Sequence, residues 1–271
     1  SRDPRDVVHV VAASGAEAAA LCTRVGRANC VAVGADAAPG ASPAERAALA
    51  ALFARSAAVV SLLPASMHAD VAERCLEARA PLVTASYVDA STRALDARAR
   101  AAGVPVLCEM GLDPGVDHMS AAQLLRDAQR AGGRVLAFSS SCGGLPAPET
   151  NMGPINYKFS WSPKGVFAAL RNGARYLEDG VEVAVPAEQL LAAARPVEQG
   201  RLAAVFNLEV LPNRDALPYA HAYGLGQSAL SVFRGTFRYR GWSSLMAQFQ
   251  GLGLMEEKPL PPGVSTWPEL H

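Results

Sequence analysis

A few short segments carry the side chains that could do chemistry. Gly111-Leu112-Asp113-Pro114-Gly115 sets one carboxylate in a turn between two glycines, with a proline to stiffen it. A carboxylate held this way can face an amine or take a proton from it. The same residues would also serve as a plain interdomain turn. Cys142 to Glu149 (CGGLPAPE) is too rich in Gly and Pro for regular structure. Such a loop can turn backbone N–H groups toward an anion, or simply connect two elements at the surface. Cys142 is reactive only if exposed and electropositive, and a small buried residue fits the position as well. Tyr157 to Gly165 (YKFSWSPKG) mixes aromatics, hydroxyls and two lysines. Trp161 suits a core there, and Ser162-Pro163 suits a helix start. Late in the chain come Pro212-Asn213-Arg214-Asp215 and the run Arg234 to Arg240. Arg234, Thr236 and Arg238 share one face of a strand by period two. Arginines on one face fit a ligand with several carboxylates, since guanidinium binds carboxylate bidentately. A solvated basic strand edge gives the same pattern.

The elements that must hold these residues change character along the chain. Over 6–112, short apolar runs alternate with helical stretches. Val7–Ala12, Ala57–Leu63, Leu82–Ala85 and Val104–Leu107 read as strands. Ala16–Val25, Met67–Arg79 and Asp89–Ala102 read as helices. Ser42-Pro43-Ala44-Glu45 is a capping-box pattern opening a helix to about Arg55. Strand–helix alternation predicts a parallel sheet covered on both faces, the doubly wound class in which ligands sit beyond the carboxyl ends of the strands. No GxGxxG precedes Val7, and GLGQSA at 224–229 has only the first two glycines. The expectation is therefore an α/β fold: a Rossmann-type parallel sheet lacking its first strand, with that strand and its phosphate loop upstream of Ser1. After 113 an α+β domain with a mixed sheet is expected. Asp117 reads as the N-cap of a helix to about Gly132. Strands are expected near 134–140, 157–160, 174–178, 181–185, 203–210 and 232–240, and helices near 163–172, 187–195 and 242–252. The domain division falls in the GLDPG loop, giving 1–112 and 113–271.

Composition removes several classes. The 271 residues carry 25 basic and 25 acidic groups, without the basic excess of a nucleic-acid binder. No apolar run approaches the length of a membrane span. Five cysteines with no CxxC argue against a disulfide framework or a zinc site and for a reducing compartment. The histidines form no HxxxH or HExxH, so no metal site is expected; His9, His68, His221 and His271 read as polar residues on or near a surface. The chain enters an apolar strand soon after Ser1, shows no signal peptide, and reads as a piece of a longer protein.

Taken in order, VTASY (83–87), GLDPGVDHM (111–119), CGGLPAPE (142–149), YKFSWSPKG (157–165), LPNRD (211–215) and RGTFRY (234–239) resemble the glutamate-forming saccharopine dehydrogenases in sequence and spacing. The resemblance runs from about residue 6 to the end and is strongest over 57–175. In this family saccharopine, a secondary amine joining lysine and glutamate skeletons, is oxidised by a nicotinamide cofactor in lysine metabolism. The imine is hydrolysed to glutamate and 2-aminoadipate 6-semialdehyde, or the reverse reaction runs. The resemblance implies that Ser86, Tyr87, Asp113, Arg214, Thr236, Phe237 and Arg238 contact saccharopine, with Arg214 and Arg238 clamping carboxylates. Asp113 and Tyr87 are the catalytic candidates. For the cofactor, NAD or NADP, it implies contacts from Ala13, Glu17, Leu63, Ala85, Leu112 and Pro114. Ala13 followed by Ser14 stands where an acidic residue would select NAD or an arginine NADP, so the choice stays open.

With the phosphate loop missing and the family's last elements cut short after TWPELH, residues 1–271 alone are expected to bind cofactor poorly and turn over little. The resemblance implies no nucleic-acid or membrane partner. It leaves open a homodimer and fusion to a lysine-ketoglutarate reductase domain. The implied location is cytoplasmic, or the mitochondrial matrix in an animal-type bifunctional enzyme. Two other readings stay open: a non-catalytic saccharopine-binding or regulatory module, and a related polyamine-conjugate dehydrogenase. The last would need carboxylates where Arg214 and Arg238 stand.

Overall fold

The structure is a computed structural model that describes residues 6–38, 40–151, 153–159, 163–226, 228–256 and 263. It divides into two compact units, Ser1–Ser120 and Ala121–His271.

The first unit alternates strands and helices: β1 (Val8–Ala12), α1 (Gly15–Val25), β2 (Cys30–Gly34), α2 (Pro43–Ala54), β3 (Val59–Ser61), α3 (His68–Ala78), β4 (Leu82–Thr84), α4 (Ala90–Arg93), α5 (Asp96–Ala102) and β5 (Val106–Leu107). All strand pairs are parallel, as expected. They form two pieces, β1-β2 and β3-β4-β5, and among the described residues β1 does not pair with β3. Strands of a closed parallel sheet are buried on both faces. Here Val60 is 66% and Val31 43% exposed, as befits open sheet pieces.

The capping box is present as read: Ser42 and Glu45 satisfy each other's backbone at the start of α2. Along α3 the buried residues are His68, Val71, Ala72, Cys75 and Leu76, an i, i+3, i+4, i+7, i+8 stripe. It packs with Leu49 and Phe53 of α2 and Leu82 of β4 into the core of this unit. Burying each of these large side chains contributes about 1.5–3 kcal/mol.

The second unit holds α6 (Val116–Arg130, most of it), β6 (Ala137–Cys142), α7 (Pro163–Ala169), β7 (Ala174–Glu178), β8 (Val181–Val185), β9 (Arg195–Pro196), α8 (Gly200–Val205), β10 (Leu208–Pro212), α9 (Leu217–Ala222), β11 (Ser231–Tyr239) and α10 (Trp242–Gly251). Its sheet is mixed, as expected. β11 is its spine: parallel to β6, antiparallel to β7 and β10. Tyr157, Val166, Leu211, Trp242 and Met246 form one core cluster; Leu125, Leu225 and Val232 form another.

Several expectations are corrected. β2 (CVAVG) was not anticipated. The helix expected over Asp89–Ala102 is two, because the chain turns at Ala94–Leu95 and sinks Leu95 to 7% exposure. Tyr157–Phe159 is not a strand; Tyr157 packs its ring edge-on to Phe159 and against Trp242. The apolar run after Gly200 begins as α8, since Leu-Ala-Ala favours helix when no sheet partner buries it. The helix expected near 187–195 is one 3-10 turn, Ala187–Gln189, enough to bury Leu190 and Leu191. Asp117 is not the N-cap: α6 starts at Val116, and the Asp117 carboxylate reaches back to accept from the Gly115 N–H at 2.7 Å. His68 is not at the surface but 2% exposed. Trp161, Ser162 and His271 lie outside the described residues.

Candidate active site

The GLDPG loop is closed on itself. The Gly111 N–H donates to the Pro114 carbonyl at 2.9 Å, and the Val116 N–H to the Gly111 carbonyl at 3.0 Å. Gly115 is required, and Gly111 is tightly packed. A Cβ on Gly115, whose φ is +149°, would lie 2.2 Å from the Gly111 oxygen; one on Gly111 would meet the Ala85 Cβ at 3.0 Å. The loop thus seats directly on the carboxyl end of β4, and Asp113 stands at its tip with Pro114 buried behind it. The Tyr87 hydroxyl donates to Asp113 Oδ1 at 3.4 Å. The two residues expected to be catalytic, 26 positions apart in sequence, therefore meet.

Ser86 stands one position before Tyr87 and is tied down from three sides. Its N–H donates to the Thr84 hydroxyl at 3.3 Å, its carbonyl accepts from the Glu109 N–H at 2.9 Å, and its Oγ lies 2.8 Å from His68 Nε2. The same Nε2 is 3.1 Å from Thr84 Oγ1, and His68 Nδ1 is 3.1 Å from Ser61 Oγ. Ser61, His68 and Thr84 are all buried. Burial lowers the His68 pKa, and the Asp89 carboxylate partly offsets this, so the ring is neutral at pH 7.

The expected cofactor residues of this unit lie at or beyond strand carboxyl ends. Ala13 and Glu17 are exposed where β1 turns into α1; Ser14 caps that helix by accepting from the Glu17 N–H at 3.4 Å. The start of α1 packs closely on the end of β2: a Cβ on Gly34 would come within 2.9 Å of the Gly15 Cα. Leu63 and Ala85 are half-buried, Leu63 packing on the core, and Leu112 is 71% exposed. Exposed apolar and backbone surface at these strand ends fits a nucleotide.

In the second unit, β11 carries Thr236, Phe237 and Arg238. A solvated strand edge is excluded, because β11 is flanked on both sides and Arg234 and Arg238 are 5% and 9% exposed. The Arg234 guanidinium lies 4.4 Å from the Tyr219 ring; that of Arg238 lies 5.0 Å from Tyr157 and 4.8 Å from Trp242. Arg238 donates through Nη1 to the Phe237 carbonyl at 2.8 Å, and among the described residues its buried Nε has no hydrogen-bond partner. Burial lowers its pKa, while Tyr157 and Glu209 act the other way. Glu209 faces Arg238 across the β10-β11 ladder, and its carboxylate accepts from the Gly241 N–H at 2.9 Å and the Ser243 N–H at 2.7 Å.

Arg214 is exposed, with φ +54°, a conformation that costs a non-glycine residue energy. Its loop is pinned: the Arg175 N–H donates to the Arg214 carbonyl at 3.0 Å, the Asn213 N–H to the Arg234 carbonyl at 2.9 Å, and Arg175 Nη1 to Asp215 Oδ2 at 3.1 Å. Cys142 pairs with Thr236 in the β6-β11 register and is partly buried. Next to it a Cβ on Gly143 would lie 2.5 Å from the Phe237 carbonyl, so the CGG turn presses on β11. The Tyr239 hydroxyl donates to the Pro146 carbonyl at 2.9 Å and holds the loop's far end.

Ser86, Tyr87, Asp113 and their apolar neighbours Ala85 and Leu112 are thus gathered in one unit, and Arg214, Thr236, Phe237 and Arg238 in the other. His68 and Glu209 were not anticipated. His68 was legible in principle, since it falls on the apolar stripe of α3. Glu209 was not: pairing with Arg238 depends on strand register.

Both parts of the chain match family models: residues 2–107 match the saccharopine dehydrogenase NADP binding domain, and 111–267 the saccharopine dehydrogenase C-terminal domain. The alpha-aminoadipic semialdehyde synthase of Arabidopsis thaliana is 46% identical over 200 residues, which cover 74% of this chain and 19% of that protein. The saccharopine dehydrogenase [NADP(+), L-glutamate-forming] of Pyricularia oryzae is 39% identical over 215 residues, 78% of this chain and 46% of that one. Among solved structures, apo saccharopine dehydrogenase (L-Glu forming) from Saccharomyces cerevisiae superposes with a TM-score of 0.80 at 34% identity, covering 94% of this chain and 54% of that one. The chain therefore spans less than half the length of these curated relatives. The mouse relative, 42% identical over 204 residues, is named mitochondrial. No helix of the described residues is long and apolar enough to cross a membrane, and no group of three or more His, Cys, Asp or Glu among them is placed to hold a metal ion. With both parts matched, the chain belongs to the saccharopine dehydrogenase family.

Proposed function

We propose that the protein containing this chain oxidises saccharopine with NAD(P)+ to glutamate and 2-aminoadipate 6-semialdehyde, or catalyses the reverse. The meeting of Tyr87 with Asp113 on a loop that has no room for a side chain at Gly115 carries this reading. Residues 1–112 act in dinucleotide binding and 113–271 as the substrate-binding domain. A bound nicotinamide would supply the hydride acceptor for the carbon next to the secondary amine. Ala13, Glu17, Leu63, Ala85, Leu112 and Pro114 would line its site. NADP is favoured over NAD by the family model matched over 2–107.

Asp113 takes the proton from the amine and releases it to solvent, then takes a proton from the water that adds to the imine and returns it to the departing nitrogen, while Tyr87, bonded to its Oδ1, fixes the carboxylate's orientation. Saccharopine bears three carboxylates. Arg214 and Arg238 bind them as cations, and Ser86, Thr236 and the Phe237 face complete the contacts. Homodimeric assembly and fusion to a reductase domain belong to the same proposal, as does a cytoplasmic or mitochondrial-matrix location.

The test is titration of the natural gene product with saccharopine in the presence of NAD or NADP, following reduced-cofactor absorbance. Asp113→Asn should lower kcat by about 10²–10⁴-fold, the usual contribution of a positioned acid–base. No reduction of either cofactor by the wild type refutes the proposal.

A further inference from the structure

We propose that His68 is a positioning residue for substrate binding: Ser61 donates to its Nδ1, its Nε2–H donates to Ser86 Oγ, and the Ser86 O–H is thereby turned outward as a donor to a substrate carboxylate. The inference rests on the proposed function, which sets Ser86 against saccharopine.

The geometry is that of a relay between strand ends. Ser61 is the last residue of β3 and Thr84 the last of β4, and the first residue of α3 inserts its ring between them. The ring is 2% exposed, whereas Ser86 is half-buried and reaches solvent. The Ser86 backbone is already fixed by Thr84 and Glu109. Its hydroxyl rotor is then the remaining freedom, and the 2.8 Å contact to Nε2 governs it.

A neutral imidazole has one donor and one acceptor. With the proton on Nδ1, the bare Nε2 takes a proton from Ser86 at 2.8 Å or from Thr84 at 3.1 Å, and where Ser86 gives it, only lone pairs face outward and repel a carboxylate. With the proton on Nε2, Ser86 accepts from the ring and keeps its proton for the ligand. The second arrangement also gives the proton of the buried Ser61 hydroxyl an acceptor at Nδ1, 3.1 Å away. A ligand with three carboxylates selects it. The ring stays neutral because its burial disfavours the cation.

Two measurements on the natural gene product decide this. Imidazole 15N spectra of histidine-labelled protein, with the His68 signals assigned by their loss in His68→Gln, should show Nε2 protonated and Nδ1 bare, and Ser86→Ala should move the Nε2 resonance. A protonated Nδ1 overturns the assignment. In kinetics, Ser86→Ala and His68→Ala should each raise KM for saccharopine about tenfold, the worth of one hydrogen bond of ~1.4 kcal/mol, with kcat changed less than about twofold. The double variant should be no worse than Ser86→Ala alone. His68→Gln, which keeps an N–H donor near Ser86, should recover part of the loss. If His68→Ala fails to fold, Ser61→Ala, which removes the acceptor's partner on the far side, should still raise KM. Multiplying effects in the double variant, or loss of kcat at constant KM, overturns the role. A wild type that reduces neither cofactor overturns the proposed function and with it the ligand role, while the spectra still decide the imidazole assignment.

Discussion

Glu209 offers the sharpest test of how the second unit is held together. It is 7% exposed, and its two oxygens accept from the first free N–H groups of α10, at 2.9 Å from Gly241 and 2.7 Å from Ser243. Directly opposite in the ladder stands Arg238, 9% exposed. Glu209→Ala removes both charge-assisted bonds, leaving their N–H donors unmet, and takes away a carboxylate whose charge favours the Arg238 cation. Hydrogen bonds to a charged group are worth about 1.5–3 kcal/mol each, so losing the two costs about 3–6 kcal/mol. At ~2–4 °C per kcal/mol for a chain of this size, the unfolding midpoint should fall by about 6–24 °C, read by circular dichroism or calorimetry. Glu209→Gln keeps one acceptor oxygen and should lose roughly half as much. The sign of a third variant is more telling. Arg238→Met fills the same space without charge, so Glu209→Ala/Arg238→Met should be less destabilised than the sum of its single changes by about 1–3 kcal/mol. A midpoint for Glu209→Ala within about 2 °C of wild type, or strict additivity in the double variant, would refute the reasoning.

Gly115→Ala forces a Cβ to 2.2 Å from the Gly111 oxygen at φ +149°, so the loop must move. Overpacking of this kind costs ~1–3 kcal/mol, and displacing Asp113 from Tyr87 should cut kcat/KM far more than it lowers the unfolding midpoint; equal activity would show that the loop's shape is not needed. Asp89 caps α4, accepting from the Thr92 N–H at 2.8 Å, and with Ser91 also bonding it the carboxyl pKa falls to about 2. Asp89→Ala should cost about 1 kcal/mol, measurable by urea unfolding, whereas no change would deny the cap any part in stability. His68 has a folded pKa below its unfolded value of about 6.5, so the unfolded chain binds the proton more readily. Its contribution is present above about pH 6.5 and is lost as pH falls through the folded pKa. The unfolding midpoint should therefore drop on acidification, and His68→Gln should flatten that drop; an unchanged slope contradicts it.

Local physics and motif order made much of this protein legible in the sequence. The Ser42–Glu45 capping box, the amphipathic stripe of α3 and the parallel alternation of 6–112 follow from spacing alone, because caps and faces are set within a turn or two of chain. The glycines of GLDPG were readable as a tight turn for the same reason. Only the tertiary structure could bring Tyr87 to Asp113, set Glu209 opposite Arg238, or place Ser61 and Thr84 on either side of His68. Strand register and the packing of a helix between two strand ends are long-range choices, fixed by burial of whole faces, which no local window contains. That is also why His68 read as a polar residue on or near a surface: one polar side chain at the head of an apolar stripe gains its meaning from two hydroxyls that the fold delivers to it from separate strands.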